Sequence, residues 1–231
     1  MLKLNLGAGR IIFPLARDHV PFREHLEPLP ETVFESGWIN VDKYAMPGIN
    51  ETVNLFQFPW LRSSNGSPWN DNSVDEIYAA HILEHVPHSA TVAPGMPLGW
   101  SKQYRAWCDD LDGFFVFFAE CYRLLKPDGL IYVRCPFGMS YPAISDPTHT
   151  RYITPGSFGY LTGQADGQAP FDYHLPFEFQ QSGAISFRFV GEWAEKIKFY
   201  SEEGISNLLR TVPNICDELR ITLRAVKEKN K

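Results

Sequence analysis

Cysteine is scarce in this 231-residue chain, and the four present (Cys108, Cys121, Cys135, Cys216) form no Cys-x-x-Cys pair and have no histidine at zinc spacing. That excludes a disulfide framework and a zinc ribbon. Cys121 and Cys135 stand in apolar company and read as buried thiols, which suits a reducing, cytoplasmic setting. No apolar run approaches the about 18 residues of a membrane span, and the chain starts directly in a strand, so neither a membrane segment nor a signal peptide is expected. Basic clusters are missing until Lys227–Lys231, which reads as a solvated tail. With a net charge of −6, a nucleic-acid backbone is a poor main partner. Internal repeats and low-complexity tracts are absent too. What remains is 44% hydrophobic and 21% charged, the balance of a globular protein. The length is enough for one α/β domain and short for two, so residues 1–231 are expected to form a single domain.

The first ten residues organise the rest. Leu2, Leu4 and Leu6 lie in a short apolar run, residues 2–6, that stops at Gly7-Ala8-Gly9. Such a run reads as a buried strand entering a tight turn, where the missing Cβ lets the backbone approach a ligand. An ordinary tight turn explains the same residues. Trp38-Ile-Asn-Val-Asp42 is a second apolar run, and it ends in a carboxylate. A strand-ending acid beside a glycine turn is how α/β folds accept hydrogen bonds from the two hydroxyls of a ribose.

Two further stretches follow in order: Asn72-Ser-Val-Asp-Glu-Ile-Tyr-Ala-Ala-His-Ile-Leu-Glu-His85 and Glu120-Cys-Tyr-Arg-Leu-Leu-Lys-Pro-Asp-Gly-Leu-Ile-Tyr-Val133. Together with Leu4–Gly9 and Gly37–Asp42, they resemble class I S-adenosylmethionine-dependent methyltransferases, in the small bacterial and phage branch near the methyltransferase-11 group. The resemblance covers about residues 2–137. It departs from the family at Arg10-Ile-Ile12, where a third glycine is usual, and at Asn5, where an acid is usual. It implies a Rossmann-like methyltransferase fold, a mostly parallel seven-stranded sheet with flanking helices, and S-adenosylmethionine as cofactor. The implied cofactor residues are Asn5, Gly7, Ala8 and Gly9 at the turn, Asp42 on the ribose, Asn54 and Leu55 at the adenine, and Ala80 with His81 at the floor. Asn54 also reads as a plain turn cap.

The remaining chain is read from pattern. A helix is expected over Arg17–Leu26, in a Pro-rich insertion, and a short third strand over Glu51–Leu55. Val74–Ala80 is a fourth strand, residues 87–107 a loop, and Asp109–Leu125 a helix with an aromatic face. Leu130–Cys135 is a fifth strand, and Ile185–Val190 and Trp193–Tyr200 are further strand segments. Ser201 starts a helix to about Thr211, and Glu218–Val226 alternates as a closing antiparallel strand.

Residues 136–183 are rich in Gly, Pro, Tyr, Phe and His and read as a lid or insertion within the domain, or else as a packed surface excursion. Asp146-Pro-Thr-His149 within it offers a carboxylate and an imidazole for acid–base work, or merely an Asp-capped turn. His81 is the other catalytic candidate. His81 and His85 would make a zinc site only with further ligands, and the sequence shows none, so no metal is expected. The acceptor is unidentified: the fourth strand lacks an Asn/Asp-Pro-Pro-Tyr sequence, which favours an oxygen or nitrogen on a small molecule or sugar. Two rivals stand beside this reading. A nicotinamide-dependent oxidoreductase would need glycine where Ile12 stands, and a non-catalytic cofactor-binding or interaction module would share the glycine turn and acid without turnover.

Overall fold

The computed structural model describes residues 1–16, 30–94, 98–163, 175 and 177–227. The helix expected over Arg17–Leu26 lies outside the described residues. In chain order the strands and helices are β1 (Lys3–Leu6), β2 (Trp38–Asp42), β3 (Glu51–Thr52), β4 (Gln57–Phe58), β5 (Val74–Ala80) and β6 (Thr91–Val92), then α1 (Leu98–Asp110) and α2 (Gly113–Leu124). After these come β7 (Leu125–Pro136), α3 (Tyr141–Ser145), α4 (Pro155–Gly159), β8 (Phe179–Gln181), β9 (Ser186–Phe189), α5 (Trp193–Lys196), α6 (Glu202–Thr211) and β10 (Cys216–Ala225).

The main sheet runs β3-β2-β1-β5-β7-β10-β8, with β9 also paired to β10, so it has eight strands rather than seven. The first five in that order are parallel, and β10 is antiparallel to β7, β8 and β9. The extra strand arises because β10 is long enough, at ten residues, to pair β9 toward its start and β8 toward its end. β4 and β6 form a separate two-stranded sheet.

Alternation along the strands divides the interior in two. Leu4, Leu6, Ile77 and Ala79 face the main core, which α2 covers with Phe114, Phe115, Phe117 and Phe118. Each such buried side chain contributes roughly 1.5–3 kcal/mol. Tyr78 faces a smaller cluster with Phe13, Leu15, Val33 and Trp38. Lys3 is fully buried and pairs with Glu35 at 2.6 Å.

Four expectations are corrected. The third strand covers only Glu51–Thr52, and Asn54 follows as a turn residue whose Oδ1 accepts the Phe56 N–H. Residues 98–110, within the expected loop and at its edge, are helical. The helix expected over Asp109–Leu125 is broken at its start, because Asp112 Oδ1 accepts the Phe114 N–H at 2.8 Å and caps α2. Gly113 lies so close to Pro87 that a Cβ would stand 2.1 Å from the Pro87 carbonyl oxygen. Trp193–Tyr200 is helical rather than extended: α5 and a following 3-10 turn are braced by Glu192–Lys196 and Glu195–Lys198 pairs at helical spacing.

Candidate functional site

A cleft of about 340 Å³ opens at the carboxyl ends of the parallel strands, lined in part by Gly7, Asp42, Asn54, Leu55 and His81. β1 runs into Gly7, which has φ +62° and whose added Cβ would meet Ile82 Cδ1 at 2.1 Å. Glycine is favoured there by its φ, and any side chain would also force Ile82 to move. Asp42 ends β2 with its carboxylate already oriented: Oδ2 accepts the Gly9 N–H at 2.9 Å and Oδ1 the Tyr44 N–H at 3.0 Å. Each oxygen retains a lone pair, so two backbone donors position the carboxylate without exhausting it.

Asn5, Ala8, Gly9 and Ala80 do not line the cleft. Asn5 is buried, donating to the Ile11 carbonyl at 2.7 Å and to Asn40 Oδ1 at 2.9 Å. Asn40 Oδ1 also accepts the Phe13 N–H, so this amide pair ties residues 11–13 behind the glycine turn. The Ala8 N–H bonds the Val41 carbonyl, fastening the turn to β2. Lys43, Phe56, Ile82, His85 and Thr148 complete the lining. None of them was singled out for the cofactor from sequence, and only the His85 and Thr148 motifs carried a signal that could have found them.

His81 follows β5 in the left-handed region, φ +55°, held by its N–H to the Arg134 carbonyl. Its ring is clamped between two buried carboxylates, Nδ1 at 3.3 Å from Glu84 Oε1 and Nε2 at 3.1 Å from Glu218 Oε2. Burial alone would push the imidazolium down, but the bonds to Glu218 and Glu84 outweigh it and raise the pKa to about 9. A ring protonated at neutral pH donates hydrogen bonds and carries charge but accepts no proton. Glu218 also takes Arg134 at 2.7 Å and Arg220. Burial works to raise its pKa, while His81 and the two guanidiniums draw it down to about 2. Arg134 reaches on to the Tyr78 hydroxyl at 3.2 Å, so a charged network underlies the cleft floor.

The segment 146–151 docks on the 3-10 turn Leu83–His85. The Thr150 N–H donates to the Glu84 carbonyl at 2.7 Å, and Arg151 donates to the carbonyls of Val86 and Pro87 and pairs with Asp112. Asp146 Oδ1 accepts both the N–H and hydroxyl of Thr148, the capped-turn arrangement. His149 donates from Nδ1 to the Ala143 carbonyl at 2.9 Å, and its Nε2 is 3.8 Å from Asp146 Oδ2. The His149 ring packs edge-on against His85, centroids 4.8 Å apart. The structure thus brings Asp146 and His149 to the edge of the cleft through Thr148 and His85, without placing either in its lining.

A larger cavity of about 670 Å³ lies between α4, β9 and α6, walled by Phe137, Phe158, Phe187 and Leu209. It shares no lining residue with the cleft.

A parallel sheet whose first strand enters a glycine turn, whose second ends in a carboxylate, and whose last strand returns antiparallel beside β7 is the Rossmann-like methyltransferase fold. No known family's sequence pattern matches the chain, and no well-characterised protein sequence does either. The chain is similar in structure to an S-adenosylmethionine-dependent methyltransferase from Archaeoglobus fulgidus, at 18% identity and a TM-score of 0.47, over 96% of this chain and 85% of that one. It is similar to the Burkholderia thailandensis 1,6-didemethyltoxoflavin-N1-methyltransferase, solved with S-adenosylhomocysteine, at 14% identity and a TM-score of 0.44, over 98% and 71% of the two chains. The cyclase SpnF is similar as well, at 10% identity and a TM-score of 0.45, over 97% and 75%.

Proposed function

We propose that the chain is a class I methyltransferase that holds S-adenosylmethionine in the cleft beside Gly7 and methylates an oxygen or nitrogen of a small molecule or sugar. The observation that carries this reading is the convergence of Gly7, Asp42, Asn54, Leu55 and His81 on one cleft at the carboxyl ends of the parallel strands. Asp42, steadied by two N–H donors, takes the ribose hydroxyls; Asn54 keeps its amide nitrogen free of any intramolecular bond among those described and faces the adenine edge. His81, held between Glu84 and Glu218, closes the floor. The cofactor brings an already activated methyl group, so the protein's task is to orient the acceptor and exclude water.

Calorimetry with S-adenosylhomocysteine tests the binding half. Wild-type protein binds it, and Asp42→Ala weakens binding by roughly 1–3 kcal/mol, the scale for hydrogen bonds to a charged group. Binding of NADH instead would transfer the case to an oxidoreductase. Release of S-adenosylhomocysteine from a pool of hydroxyl and amine acceptors, above the Asp42→Ala background, tests turnover. Tight binding without release would leave a non-catalytic module.

A further inference from the structure

We propose that Glu84, His85 and His149 form a binding site for one divalent first-row transition cation at the edge of the cleft. One donor atom from each of the three lies within 4.8 Å of the other two. Donors around a cation at about 2.1 Å stand roughly 3–3.4 Å apart, so small side-chain shifts close the site. His149 lies 64 residues beyond His85 in the sequence, out of reach of any local ligand pattern. The docking of 146–151 on the Leu83–His85 turn brings His149 there, while both nitrogens of His81 are already taken, one by Glu84 Oε1 and the other by Glu218.

Hydrogen bonding prepares each ligand. His149 spends its Nδ1–H on the Ala143 carbonyl. His85 Nδ1 faces two acceptors, the Thr148 carbonyl at 3.3 Å and Thr148 Oγ1 at 3.1 Å, whose own proton goes to Asp146. Each Nδ1 thus faces oxygen acceptors, which leaves Nε2 of each ring available to a cation, the outer-shell pattern of metal-bound imidazoles. Glu84 is 2% exposed; Oε1 meets His81, but Oε2 has no partner among the described residues. A buried carboxylate oxygen without a partner costs free energy that a cation beside the carboxylate would remove.

Two imidazoles and one carboxylate select manganese, iron, cobalt, nickel or zinc over magnesium or calcium, and leave coordination positions open. His85, the one of the three ligands that lines the cleft, brings such open positions within reach of it. A hydroxyl-bearing acceptor can fill one of them, and coordination would lower the hydroxyl's pKa toward neutrality. This role rests on the methyltransferase reading; cation binding does not.

The test is titration of chelator-treated full-length protein with Co²⁺ and Zn²⁺, by calorimetry and by the visible absorption of Co²⁺, with no other ligand added. The expected result is one equivalent bound, with visible Co²⁺ bands of nitrogen ligation. His85→Ala and His149→Ala should each weaken binding at least tenfold, and Glu84→Gln, which keeps the size of the buried side chain, should do the same. His88→Ala, which removes an exposed histidine paired with Asp112, should leave binding unchanged. Thermal unfolding of each metal-free variant checks folding. Absence of stoichiometric binding to wild type overturns the proposal, as does binding that survives His85→Ala with His149→Ala or is lost with His88→Ala. S-adenosylhomocysteine affinity, measured separately, decides the cofactor reading independently.

Discussion

Gly7 and Glu218 show two ways in which a single residue sets the cleft. At Gly7, alanine brings both a left-handed φ and a 2.1 Å clash with Ile82. Gly7→Ala is expected to destabilise the fold by about 1–3 kcal/mol and to weaken S-adenosylhomocysteine binding at least tenfold, while Ile82→Ala in the same chain restores only part of the loss, since φ stays unfavourable. Paired denaturation and calorimetry check this; full rescue by Ile82→Ala would mean φ costs nothing. Glu218 acts through charge. Its pKa is lowered to about 2 from an ordinary value of 4.5, so its contribution is present above pH 4.5 and is lost as pH falls toward 2. The full amount is on the order of 3 kcal/mol. Glu218→Gln should therefore flatten the fall in unfolding free energy between about pH 4.5 and 2. An acid limb equally steep in both proteins would show that Glu218 is not its source. Gly7 and Asp42 were legible because a strand end followed by a special residue is a local pattern. Glu218 was not, since its partner His81 is 137 residues away and only the β10–β7 register brings them together.

Among the elements, the segment 146–151 depends on Arg151, whose side chain reaches Val86, Pro87 and Asp112. Arg151→Ala is expected to cost about 1.5–3 kcal/mol, as hydrogen bonds from a charged group to the Val86 and Pro87 carbonyls are lost, although the Val86 carbonyl keeps the Thr150 hydroxyl. Amide exchange should also accelerate at Thr150, whose N–H is held by the Glu84 carbonyl. Unchanged protection at Thr150 would show that the segment holds without its arginine. The Asp-Pro-Thr-His pattern announced a turn, but what that turn touches depends on packing. The same limit explains α5: residues 193–200 read as a strand segment from sequence, yet within Trp193–Ile197 only Ile197 is buried. With no sheet face to occupy, helical ion pairing prevails. The α2 aromatic face, by contrast, is a long periodic signal that the core confirms.

At the scale of the whole molecule, β10 is paired along both edges, to β7 on one side and to β8 and β9 on the other. Hydrogen exchange should find its amides from Leu219 to Leu223 among the slowest, opening only with global unfolding, while residues 193–199 exchange through local opening. Early exchange in β10 would mean the antiparallel part unfolds on its own. The position of β10 also matters to the order in which a ribosome delivers the chain. Gly7, Asp42 and His81 emerge early, and β1, β2, β5 and β7 can pair as they appear. Until residue 216 leaves the exit tunnel, β7 has an unpaired edge with Ile131, Val133 and Cys135 on it, and Arg134 and His81 await Glu218. An open apolar edge invites pairing with another nascent chain. β10, made after the other strands described, therefore both seals that edge and supplies the Glu218 carboxylate beneath the cleft, so a chain stopped short of it has the glycine turn and Asp42 but not the anion that holds His81 and Arg134.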